Sequence, residues 1–145
     1  MIIHQTTAGK LTFDESTPAV IATFTGFMKS ETFREFMEIG LTHLEKYLRR
    51  HKNVLWLADT TSHKVQPKAD TEWVATTWTP RAMKAGLTHI AFVIPKDTFA
   101  QLSVQNYTNK AASGQREEVT IQMFPDVASA KKWYATAKQE TQQAY

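Results

Sequence analysis

Val54-Leu55-Trp56-Leu57-Ala58, closed by Asp59, and Ile90-Ala91-Phe92-Val93-Ile94, closed by Pro95, are the stretches whose reading decides the fold. A strand sends successive side chains to opposite faces, so a short run that is apolar throughout describes a strand covered on both faces. Both runs are expected to be central strands of a sheet. The about thirty residues between them are the size of a crossover unit and carry helical pattern over Asp70 to Trp78 and again over Pro80 to Ala85. Thr79 can cap the second piece, Pro80 can take its first position and Gly86 can stop it, which predicts a crossover helix broken once.

Upstream, Ala19-Val20-Ile21-Ala22-Thr23-Phe24 reads as a strand ending towards Gly26, and residues 2–13 as an irregular edge strand or hairpin around Gly9-Lys10. Such an edge could pair with a second chain. From Ser30, a plausible N-cap followed by Glu31, apolar residues recur at helical steps: Phe33, Phe36, Met37, Leu41, Leu44 and Leu48. Glu35, Glu38, Glu45, Lys46 and Arg49 occupy the opposite face, and Asn53 follows the expected end.

Downstream, Asp97 can cap a helix to about Ala112. Val119 to Phe124 alternates like an edge strand, and Asp126 can cap a last helix with Ala130, Trp133, Tyr134 and Ala137 on one face. The sum is one α/β domain over residues 1–145, with a mixed sheet, parallel core strands and four main helices.

Composition narrows the chemistry. The chain of 145 residues has no cysteine, which removes disulfides, thiolate metal sites and cysteine nucleophiles. It has 17 basic and 14 acidic residues, net +3, with the basic residues spread among acids, so nucleic acid is not an expected partner. The dense basic stretch Arg49-Arg50-His51-Lys52 falls where cations complement a helix dipole. No apolar run is long enough for a membrane helix and the start lacks a secretory pattern, so a cytoplasmic location is expected. The five glycines, at 9, 26, 40, 86 and 114, never cluster into a phosphate loop, and no serine stands in Gly-x-Ser-x-Gly. Histidines 4, 43, 51, 63 and 89 show no metal-ligand spacing, and no cofactor or metal is expected.

Two groups of residues remain as candidates. Asp59-Thr60-Thr61-Ser62-His63 follows a central strand at its carboxyl end, where open α/β sheets bind ligands, and offers a carboxylate, three hydroxyls and an imidazole for docking or phosphorylation. These are also ordinary turn residues. Trp73, Trp78, Arg81, Phe92 and Phe99 could wall an apolar pocket whose arginine meets an acidic head group, although the simpler account is that the tryptophans fill a helix–sheet layer.

The strand–Asp–Thr/Ser arrangement of Val54 to Ser62 and the order of elements resemble the STAS domain of bacterial anti-sigma-factor antagonists, the SpoIIAA-like fold. Leu55-Trp56-Leu57-Ala58-Asp59, Trp73-x4-Trp78-x-Pro80-Arg81, Gly86, Ala91 to Pro95 with Phe99, and Ala130-x2-Trp133 are similar to bacterial STAS/CRAL-TRIO-like proteins, over roughly residues 19–138. The resemblance implies a regulatory domain that docks a protein partner. In antagonists of this kind a phosphorylatable Ser or Thr after the strand controls docking; here the loop lacks the Gly-Leu that follows it there. The CRAL-TRIO-like branch implies a lipidic or small apolar ligand.

The leading expectation is therefore a non-enzymatic regulatory or binding domain, a homodimer being one form, that uses the Asp59 to His63 loop. The alternative is a carrier of a small apolar or acidic ligand. A weaker alternative is an enzyme with Asp59 and His63 as an acid–base pair, for which no nucleophile or oxyanion hole is evident.

Overall fold

The computed structural model describes residues 1–62, 67–98 and 119–143. Within them the chain is an α/β fold built on one six-stranded mixed sheet. The strands are β1 (Ile2–Thr6), β2 (Gly9–Asp14), β3 (Ala19–Phe24), β4 (Leu55–Asp59), β5 (His89–Val93) and β6 (Thr120–Phe124), and they lie in the sheet in the order of the sequence. β1, β2 and β3 form an antiparallel meander, whereas β3 to β6 are parallel neighbours. The helices are α1 (Ser30–Arg50), α2 (Lys68–Trp73), α3 (Thr79–Ala85) and α4 (Val127–Gln143), with a π turn over Val74–Trp78 joining α2 to α3.

The unbroken apolar runs have the expected cause, a sheet covered on both sides. Trp56 and Ala58 of β4 and Ile90 of β5 face α1 and α3, together with Leu11, Phe13, Val20, Ala22 and Phe24. Leu55, Leu57, Ala91 and Val93 face the other way, onto Ala130 and Tyr134 of α4. Burying each of these leucines contributes roughly 1.5–3 kcal/mol. An ion pair from Lys131 on α4 to Asp14 at the end of β2, 2.7 Å, ties the second layer to the meander.

Helix α1 buries Phe33, Phe36, Met37, Gly40, Leu41, Leu44 and Tyr47. Gly40 and Tyr47 extend the expected face. A Cβ on Gly40 would stand 2.6 Å from Cη2 of Trp56, so glycine is what lets the helix lie over that indole. Gly9 plays the same part rather than forming the hairpin turn, which falls on Thr7 and Ala8: a Cβ there would meet Met28 and Phe36. Ser30 is not the N-cap. That position is Lys29, without a side-chain cap bond, and Ser30 is the first helical residue, its hydroxyl directed elsewhere. The helix is closed by His51, whose N–H donates to the Tyr47 carbonyl, and not by Asn53.

The crossover helix is bulged rather than broken. Pro80 has no N–H and its ring would strike the carbonyl four residues back in a regular helix. The π turn ahead of it widens the coil, with the Thr79 N–H reaching back to Val74, and the backbone stays right-handed helical through Trp73, Val74, Trp78 and Thr79. Gly86 then ends α3 at φ +117°, as expected of a left-handed terminus. Asp126 caps α4 by accepting from the Ser129 N–H at 2.7 Å. β6 lies at the sheet edge as expected. Residues 96–98 are helical, so Asp97 lies inside this helix rather than capping it; the rest of the helix expected there, and the end of the C-terminal tail, lie outside the described residues.

Candidate functional site

The carboxyl ends of the parallel strands meet at one end of the sheet, because Thr23 of β3 is level with Asp59 of β4 and Asp59 with Val93 of β5. The loop after β4 starts from this level and its first residues are held. Thr60 donates twice to the Val93 carbonyl, from its backbone N–H and from its hydroxyl, both at 2.8 Å. Asp59 accepts from the Thr61 N–H at 3.1 Å and from the Thr61 hydroxyl, an Asx turn that fixes the chain direction. Ser62 is exposed and makes no side-chain hydrogen bond among the described residues. Of the five loop candidates, then, Asp59, Thr60 and Thr61 hold one another and the neighbouring strand, and Ser62 faces water. His63 lies outside the described residues.

The second group is dispersed. Trp78 is 1% exposed, its ring packed on Trp56 with centroids 4.7 Å apart, and its indole N–H donates to the Met37 carbonyl at 2.8 Å. It fills the layer between sheet and α1. Phe92 is half-buried against the same core. Arg81 is exposed and engaged by Glu38 of α1 through two bonds, 2.5 and 3.0 Å, which raise its pKa further above the ordinary arginine range. Phe99 lies outside the described residues.

Trp73 belongs to a cluster that the sequence reading missed. Asp70 is fully buried, accepting from the Ser30 hydroxyl at 2.8 Å and from Nε of Arg34 at 3.1 Å. The Arg34 guanidinium lies over the Trp73 ring, 5.3 Å from its centroid. The first turns of α1 and α2 are joined in this way by a charged pair beneath an aromatic face. Asp70 stands 36 residues from Arg34 and 40 from Ser30 in the sequence, so no local spacing pairs them.

Elsewhere, His89 is half-buried, with Thr88 hydroxyl at 2.8 Å from Nδ1 and the rings of Trp133 and Tyr134 edge-on at 5.4 Å. Burial holds its pKa below the ordinary histidine range. The basic stretch at Arg49 and Arg50 occupies the last turn of α1. Among the described residues no group of three or more His, Asp or Glu side chains could hold a metal ion, and no helix is long and apolar enough to cross a membrane. In comparisons with known proteins, no family model, no curated protein and no solved structure matches the chain.

Proposed function

We propose that this chain is a non-enzymatic regulatory or binding domain of the SpoIIAA-like, STAS-type class, working in the bacterial cytoplasm and docking a protein partner through the loop that follows β4. The observation that carries this reading is the division of labour in that loop. Asp59, Thr60 and Thr61 spend their polar groups on holding the turn to the strand ends, while Ser62 is presented to solvent. A hydrogen-bonded base beside an exposed Ser62 suits recognition, because little ordering of that base is needed when a partner arrives. It also suits a switch: a phosphate on Ser62 would add a charge of roughly −1.5 to −2 close in sequence to Asp59.

The test is purification of the tagged chain from its host beside Ser62→Trp and Ser62→Ala, with intact-mass analysis of each. A defined partner held by the native chain and lost from Ser62→Trp supports the reading. The same bound proteins on native and Ser62→Trp chains overturn it. A phosphorylated species lost in Ser62→Ala would establish the switch, and its absence would reduce the reading to constitutive docking.

A further inference from the structure

We propose that Arg34 is a receptor for an oxoanion, a carboxylate or phosphate group of a ligand. The guanidinium has five N–H donors in one plane. Among the described residues only Nε is used, on Asp70, and neither terminal nitrogen has a partner. The side chain is 43% exposed, so the guanidinium is held without being enclosed. Its orientation is fixed by the buried Asp70 carboxylate at its edge and by Trp73 at its face. An arginine held on two sides has already lost the rotamer freedom that a mobile surface arginine loses on binding, and its fork matches two oxygens of a carboxylate or phosphate.

The chain also withholds the carboxylate that would otherwise occupy the fork. Glu38 stands four residues after Arg34 on α1, the spacing at which side chains on a helix meet. Arg81 on α3 takes both of its oxygens. Glu31, three residues before Arg34, makes no ion pair with it among the described residues. Arg81 thus engages Glu38, and Arg34 keeps its outer nitrogens without a partner among the described residues. Asp70 offsets the charge of Arg34, so recognition rests on the geometry of the fork more than on net charge, and binding is expected to be weak and selective for two-oxygen groups. This inference is independent of the loop after β4.

The experiment is a titration of the full chain with inorganic phosphate, and separately with acetate, at constant ionic strength, following the Trp73 indole N–H by NMR. A saturable shift in the native protein that is reduced about tenfold or more in affinity by Arg34→Lys, which keeps the charge and loses the fork, is the expected result. Arg81→Ala frees Glu38 to compete and should weaken binding, and adding Glu38→Gln to Arg81→Ala should restore it. Tighter phosphate than acetate would indicate a phosphorylated ligand, and the reverse an acidic side chain. No saturable shift in the native protein, or equal affinity in folded Arg34→Lys, overturns the proposal. Failure here leaves the Ser62 variants unaffected, so the two readings fail separately.

Discussion

The indole N–H of Trp78 donates to the carbonyl of Met37 across the interface between the crossover and α1, 2.8 Å, from a side chain that is almost wholly buried. The bond fixes where the crossover sits along α1, and the ring beneath it packs on Trp56. Replacing Trp78 with Ala should therefore cost about 3–5 kcal/mol, and Trp78→Phe less, since it keeps most of the packing and loses the donor. Urea unfolding followed by circular dichroism measures both.

Gly40 and Trp56 should be coupled. Gly40→Ala improves intrinsic helix propensity by about 0.8–1.0 kcal/mol, yet the new methyl meets a rigid indole rather than a flexible chain end. The clash is expected to win, with a net loss of about 1–3 kcal/mol. In a Trp56→Leu background the same change should become neutral or favourable, which a double-mutant cycle reads directly.

The hydroxyl of Tyr134 is buried in the second layer without a hydrogen-bond partner among the described residues. A polar group in that state costs stability, so Tyr134→Phe should be neutral or up to about 1 kcal/mol more stable. Burial also raises the pKa of the phenol above its ordinary 10.0. The unfolded phenol ionises first as pH rises, so stability falls above about pH 10, and Tyr134→Phe should remove that part of the alkaline loss.

Acid should act in two windows. Burial lowers the pKa of His43 and His89 from 6.5, with Lys46 and His4 adding to the effect at His43. The unfolded chain then binds more protons as pH falls below about 6.5, so the stability present above that pH declines. His89→Gln should flatten this decline in denaturation midpoints measured on either side of pH 6.5. At lower pH the Asp14 carboxyl, held far below its ordinary 3.8 first by Lys131 and then by hydrogen bonds from Ser16 and Thr17, stays ionised in the folded chain. Its contribution is present above pH 3.8 and lost as pH drops below it, a loss that Asp14→Asn should abolish.

The Arg81–Glu38 pair is exposed although its geometry is two-pronged. A double-mutant cycle should return a coupling of only about 0.2–1 kcal/mol, falling with salt. Its removal should therefore leave the fold intact.

The sheet was legible because patterns of burial repeat along the chain. Val54 to Ala58 and Ile90 to Ile94 could be apolar throughout only if both faces were covered, and the stripe from Phe33 to Leu48 had to find a sheet to cover. What stayed illegible were contacts between residues far apart in sequence. Ser30 has the local chemistry of a cap, but its hydroxyl is taken by an acid 40 residues away. Pro80 after Thr79 has the pattern of a helix start, but a π turn absorbs it within a continuing helix. Gly9 resembles a turn glycine and is in fact a place where two side chains come close. In the loop after β4 the sequence marks polar residues, whereas only the register of β4 with β5 shows that Thr60 is tied to Val93 and Ser62 is not.

A strand order identical to the sequence order also bears on how the molecule is made. Among the described strands, each one after β1 pairs with the one before it, so none has to be inserted between two that have already joined. The meander and α1 can close as soon as β4 leaves the ribosome, and each later strand extends an existing edge. The meander pairs through short turns and closes first, whereas each parallel pairing waits on a long crossover. On this architecture the nascent chain can grow its sheet from one side, with β6 joining after the other described strands.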